Sequence, residues 1–228
     1  MKTFKQYITE VDKPKQIDSE DKWHLIDALN LVKKDCQQFL HKAATNGKFH
    51  PIYRGLTKSP WPKYEVKVRH SPKNESTDKE IRDTIREVFT DKFGRAFGSD
   101  AILCSGDPTM VDGIKHLIFP IGKFDFLWAE KIKDLNSSLG HNEQEGELYF
   151  DMHNTEKSKD KIVKAFIKDN EFVHNKDLIL CADKGHELMI ECKYFYAIPT
   201  SQILEHFEVF KKMIGDLHFK KSLKSDLS

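Results

Sequence analysis

Glu187-Leu188-Met189-Ile190-Glu191-Cys192, followed after Lys193 by Tyr194-Phe195-Tyr196-Ala197-Ile198, is the passage on which the fold turns. Each run is short, apolar and bounded by polar residues, which is the length and texture of a buried strand rather than a helix. In a strand, positions 187, 189 and 191 share one face, so a carboxylate of this run is carried toward the core side. Outward from it the same texture recurs. Residues 101–104, 117–121, 124–128 and 178–181 read as strands between glycines and prolines, and 50–56 and 64–69 as two earlier ones. Helical spacing appears over 20–44, where Trp23, Ile26, Leu29, Val32 and Phe39 recur on one face. Ser19 with Glu20 and Asp21 gives that helix an acidic start, and Asn46-Gly47 a stop. A second helix is predicted over 78–93, and shorter ones over 129–139, 157–168 and 201–213, while 57–62, 71–77 and 136–146 read as loops. Helix first, then mostly strands with short helices, predicts an α+β fold rather than a βαβ series.

Composition narrows the function. The chain has 228 residues and is 39% hydrophobic, enough for a sizeable core. Its 37 basic and 36 acidic residues leave a formal charge of +1, which argues against coating nucleic acid through the overall field. A local basic stretch at 63–69 is the exception. Cys36, Cys104, Cys181 and Cys192 contain no CxxC pair, so neither a zinc site nor a disulfide framework is expected, but packed, reduced thiols. No apolar run approaches bilayer length and the N-terminus lacks the apolar stretch of a secretory signal, so a soluble protein is expected.

Three motifs carry possible chemistry. In Pro51-Ile52-Tyr53-Arg54-Gly55-Leu56 an arginine stands mid-strand, costly to bury unless it meets an anion. It suits a phosphate clamp, or an edge salt bridge. Gly55 after it admits a close approach to the backbone. Ile102-Leu103-Cys104-Ser105-Gly106-Asp107 ends a strand in Ser-Gly, either presenting a hydroxyl to a ligand or simply capping the turn near Pro108. In Lys184-Gly185-His186-Glu187, the glutamate opening the late strand is a candidate catalytic carboxylate, or a solvated edge charge.

Taken in order, Arg54, Ser105 and Glu187 resemble the arginine–serine–glutamate group of ADP-ribosyltransferases, over roughly residues 50 to 200. The resemblance implies a split β-sandwich core behind an N-terminal helix, with NAD as substrate and no metal. It implies that Arg54 grips the diphosphate, with Tyr53 and Gly55 beside it. Ser105 would orient Glu187, and Glu187 would stabilise an oxocarbenium-like transition state at the ribose. Tyr53 and Phe119 are the candidates for stacking on nicotinamide. Two departures stand out: the family's Ser-Thr-Ser is Cys104-Ser105-Gly106, and Gly185 stands where many members carry the acceptor-binding Gln or Glu. NAD hydrolysis, another acceptor, or a fold kept without the chemistry are all left open.

The first ten residues, Met1-Lys-Thr-Phe4-Lys-Gln-Tyr7-Ile8-Thr9-Glu10, put Phe4, Tyr7 and Ile8 on one face of a short amphipathic helix. They resemble the capsid-targeting peptides of internal head proteins of T-even-like phages, which end at a hydrophobic-x-Glu site cut by the prohead protease. The resemblance implies cleavage after Glu10, a linker over 11–19, an ADP-ribosyltransferase-like domain over 20–215 and a tail over 216–228. It also implies residence in the virion head, then the host cytoplasm, with a host protein or RNA as target. Phe119-Pro120-Ile121-Gly122 and Glu187-Leu188-Met189-Ile190 are similar to stretches in other phage proteins. Other readings are an inactive binding protein that blocks a host defence or regulatory factor, a head structural protein, and a nuclease. The last would use Glu191 and Lys193 with Asp177 or Asp183 as a further ligand.

Overall fold

A computed structural model of the chain describes residues 19–45, 48–56, 63–65, 77–97, 101–139, 148, 151–152, 158–205, 208 and 210–212. The targeting peptide, the linker up to residue 18 and the tail lie outside the described residues. The predicted long helix forms in two pieces, α1 (Ser19–Asp35) and α2 (Gln37–Ala43), parted at Cys36 with φ −108° and ψ 26°. Helical bonding continues across the break: the Cys36 N–H donates to the Val32 carbonyl and the Leu40 N–H to that of Cys36, each at 2.9 Å. The Cys36 thiol turns out of the helix toward the Phe119 carbonyl, 3.5 Å away. The helix also stops earlier than Asn46-Gly47 suggests. Strands β1 (Ala44–Thr45) and β2 (Lys48–Phe49) pair antiparallel on either side of that dipeptide, and Asn-Gly is equally the strongest short hairpin signal.

Eight strands make the main sheet: β3 (Tyr53–Leu56), β4 (Lys63–Glu65), β5 (Ile102–Ser105), β6 (Ile114–Pro120), β7 (Asp125–Ala129), β8 (Phe172–His174), β9 (Glu187–Glu191) and β10 (Tyr194–Pro199). Their order is β4-β10-β6-β3-β5-β9-β7-β8, and every pairing is antiparallel. Together with the helices this is the predicted α+β class. The sheet is nearly severed in the middle. β3 and β6 pair over four positions and β5 and β9 over four, but β3 and β5 meet only at Tyr53 opposite Ser105.

The half containing β5, β9 and β7 is buried on both faces, which explains why these strands read as continuous apolar runs rather than alternating ones. Ile102, Cys104, Leu188, Ile190, Phe126 and Trp128 pack with Leu25, Leu29, Val32, Phe39 and Leu40 of the N-terminal helices. The intervening residues Met189, Leu127 and Ala129 pack on the other face. There they meet α3 (Thr77–Phe93) through Ile85, Val88 and Phe89, and α5 (Lys159–Asp169) through Val163, Phe166 and Ile167.

Two expectations are corrected. Residues 178–181, read as a strand, begin α6 (Leu178–Lys184), closed by Gly185 in the left-handed region at φ +69°; a four-residue apolar run is ambiguous between the two periods. The helix expected over 129–139 is only α4 (Leu135–Leu139), because Ala129 completes β7. β8 was not anticipated, and of the strand expected at 64–69 only β4 falls within the described residues. After β10, α7 (Thr200–Glu205) follows at once. Among the described residues no helix is long and apolar enough to cross a membrane.

Gly55 meets its expected close approach, but from within the chain. A Cβ there would lie 1.4 Å from the Asp112 carbonyl oxygen, so backbone, not a cofactor, fills that space. Gly55→Ala is expected to cost at least about 3 kcal/mol, the scale of a severe core clash. The urea midpoint would fall accordingly; a variant as stable as wild type would contradict the packing.

Candidate functional site

The three motifs lie on neighbouring strands. Ser105 on β5 faces Tyr53 on one side and Glu187 on the other, so Tyr53, Ser105 and Glu187 form one row across β3, β5 and β9. Directly opposed residues share a face of the sheet. Arg54 is the next residue on β3 and by alternation leaves from the other face. It is therefore Tyr53, not Arg54, that stands in the row.

Arg54 is half-buried on an interior strand, which disposes of the surface-edge reading. Just past the single Tyr53–Ser105 pair the two strands part, and its guanidinium donates to the Leu103 carbonyl at 2.8 Å. That N–H donor is thus spent on the backbone of β5. Arg54 and Glu187 leave β3 and β9 from opposite faces of the sheet. Burial pushes the Cys104 thiol up to about 12; Arg54 draws it down, while Cys192 and Glu187 add to the rise.

Glu187 is 5% exposed and Ser105 fully buried. The Ser105 hydroxyl donates to the Gly185 carbonyl at 3.4 Å and accepts the Asp107 N–H at 3.0 Å. Gly106 N–H donates to the His186 carbonyl at 3.0 Å, and a Cβ on Gly106 would come within 2.3 Å of the Ala182 carbonyl oxygen. Serine and glycine at 105 and 106 thus lock the β5 turn against the α6–β9 turn that delivers Glu187. The Glu187 N–H in turn donates to the Lys133 carbonyl at 2.9 Å.

Sequence reading missed Asp107. It caps the short 3-10 helix Pro108–Met110 by accepting the Thr109 N–H at 2.9 Å and hydroxyl at 2.7 Å, and it takes Lys133 Nζ at 3.2 Å. Partial burial works to raise its carboxyl, but the bonds from Thr109 and Lys133 outweigh this and hold it below its ordinary range. Asp-Pro-Thr is the signal that could have found it, an Asx cap ahead of proline. The open space over Gly185 is also filled by Asp107, whose Cβ lies 3.0 Å from where a Cβ at 185 would be.

The remaining candidates are buried in the core or engaged elsewhere. Tyr53 and Phe119 are 2% and 0% exposed, so both proposed nicotinamide-stacking rings are core residues, Phe119 lying on Phe49 at 5.9 Å. Burial raises all four thiols, which removes cysteine as a nucleophile. The carboxylates of the nuclease reading are differently engaged. Arg95 bridges Glu191 and Asp125 at 3.4 and 3.0 Å and Asp183 holds His50 at 2.7 Å, while Asp177 stands at the N-cap position of α6 in a left-handed conformation, without a side-chain capping bond. Among the described residues no three His, Cys, Asp or Glu side chains are grouped to hold a metal ion. A depression of about 430 Å³ lies along α3, lined by Asp83, Arg86, Glu87, Thr90, Asp91 and Ala96. It is an open helix flank that shares no residue with the row.

Comparison with protein-family models, curated proteins and solved structures finds no match to this chain.

Ser105→Ala removes the hydroxyl that ties the two turns together and is expected to cost about 1–2 kcal/mol, the scale of a buried hydrogen-bonding hydroxyl. Equilibrium urea unfolding measures it; a loss below about 0.3 kcal/mol would show that the hydroxyl does not hold the turns.

Proposed function

We propose that the chain is a phage-borne ADP-ribosyltransferase that uses NAD as substrate and modifies a host protein or RNA. The observation that supports this reading is the ladder register itself. Motifs remote from one another in the chain come side by side in the order arginine strand, serine strand, glutamate strand, with Ser105 opposite Glu187. The single-pair junction between the half-sheets fits a split β-sandwich whose cleft opens at the fork.

In this reading Glu187 stabilises the positive charge that develops on the ribose as the nicotinamide bond breaks, and holds a ribose hydroxyl. Its small exposure favours that role, because a fixed carboxylate in a low dielectric acts strongly and needs no reorganisation. In this reading Arg54 grips the diphosphate with its planar guanidinium from the opposite face of the sheet, through the fork between β3 and β5. Ser105 acts by fixing the turn before Glu187. The first ten residues are a capsid-targeting peptide cut after Glu10 by the prohead protease, so the protein resides in the virion head and then enters the host cytoplasm.

A second reading, a binding protein that keeps this fold without the reaction, is favoured by two specific observations. Both aromatic candidates for nicotinamide stacking are buried, and Asp107 fills the space over Gly185 where an acceptor-binding side chain would stand.

Incubation of the full chain with labelled NAD and host lysate separates the two. The enzyme transfers label to protein or RNA, or releases ADP-ribose; a chain that does neither is the binding protein. Glu187→Gln is expected to lower turnover by roughly two to three orders of magnitude with NAD affinity nearly kept. Arg54→Ala is expected to weaken NAD binding by about 1.5–3 kcal/mol, with circular dichroism checking that the fork is intact. Undiminished turnover in the first variant, or undiminished affinity in the second, removes that residue from its role.

A further inference from the structure

Lys133 is engaged at both ends. Its carbonyl accepts the Glu187 N–H at 2.9 Å, and its ammonium reaches Asp107 Oδ2 at 3.2 Å. Asp107 is itself ordered, by Thr109 on its carboxylate and by the Ser105 hydroxyl on its N–H. A closed circuit results: Ser105 to Asp107, Asp107 to Lys133, Lys133 to Glu187, and Glu187 back to Ser105 across the ladder.

The circuit matters because of where the ladder ends. β7 and β9 pair as far as Trp128 opposite Leu188, and Ala129 pairs with Phe172 on β8. The next residue of β9 is Glu187, and its N–H bonds to the loop carbonyl of Lys133. The first bond of β9 is therefore supplied by a loop, and its direction depends on how residue 133 is held. Ile132 and Leu135 on either side are anchored in the core, 7% and 0% exposed. Between them Lys133 has a side chain 53% exposed, whose contact with Asp107, itself only 17% exposed, ties it to the β5 turn.

We propose that the Asp107–Lys133 ion pair is a clasp that positions Glu187 by fixing the loop carbonyl to which the Glu187 N–H is bonded. This rests on the reading of Glu187 as the catalytic carboxylate. Asp107 and Lys133 are positioning residues, since they act through the Glu187 backbone. An ion pair with an exposed partner is individually weak, so the consequence is local. It sets where one carboxylate stands, and turnover is sensitive to displacements of that size.

Lys133→Met tests this in the full chain, because it removes the ammonium while leaving the carbonyl and the aliphatic stem. Amide hydrogen exchange followed by NMR is expected to quicken about two- to fivefold at Glu187, the effect of losing a weak ion pair. Leu188, Met189 and Ile190 would exchange as before. Turnover of NAD is expected to fall about tenfold with KM for NAD changed less than about twofold, the split expected when positioning rather than binding is lost. Lys133→Arg, which restores the charge, should return both toward wild type. Asp107→Asn should reproduce Lys133→Met at Glu187. Unchanged exchange at Glu187 in Lys133→Met overturns the clasp, and so does quickened exchange without a change in turnover. Equal quickening along all of β9 would mean general loosening and overturns it as well. A wild-type chain with no NAD turnover sinks the enzymatic reading instead, and the exchange arm still decides whether the clasp exists.

Discussion

Between Tyr53 and Ser105 the sheet has one paired position where its neighbouring ladders have four. Beyond it, the β5 backbone groups on that side cannot find partners on β3, and buried backbone polar groups left without partners are costly. Arg54 supplies a donor for one of them, the Leu103 carbonyl. Beyond the pair, β5 is instead tied to the turn before β9 by the Ser105 hydroxyl and the Gly106 N–H, while the Asp107 N–H bonds the Ser105 hydroxyl. The junction is thus weak as a ladder and strong as a polar network. The side chains of interest are the ones that make up the difference.

That arrangement also explains the small residues around it. At Gly55 and Gly106, chain segments from outside the strand come closer than any Cβ allows, the Asp112 carbonyl at one and the Ala182 carbonyl at the other. Gly185 serves differently, closing α6 in a left-handed conformation and leaving room for Asp107. Bringing a helix C-terminus, a strand end and a loop onto one carboxylate requires backbone contact at two places and a positive φ at a third.

Much of the sheet could be read from the sequence because its central strands are apolar on both faces and short, a signature that survives without knowledge of partners. The α+β class and the strands carrying Arg54, Ser105 and Glu187 followed from that. Strand order did not, since nothing local to residues 102–105 says that their neighbours are 53–56 and 187–191. The misreadings have local causes. Leu178-Ile179-Leu180-Cys181 is too short to show a period, and its identity as a helix lay in Gly185 and Lys184 at its end. Asn46-Gly47 serves helix stops and hairpins alike. Tyr53 and Phe119 were plausible ligand contacts only while their burial was unknown. Asp107 was overlooked because its importance comes from Lys133 and Gly185, both remote in the chain.

Replacing buried charged groups by apolar residues of similar size is often neutral or stabilising. The row around Glu187 offers such an environment: Cys104, Leu188, Met189 and Leu127 are all apolar and buried. A leucine or methionine at 187 would continue β9 as it already runs, and the Lys133 carbonyl would still receive the residue's N–H. Arg54 has a structural duty at Leu103, and Ser105 has one between the turns. The Glu187 backbone is bonded to the Lys133 loop, and its side chain is kept 5% exposed at a cost in desolvation. Three elements, the β5 turn, the α6–β9 turn and the Lys133 loop, meet at the start of β9, and it is there that the chain keeps a nearly buried glutamate.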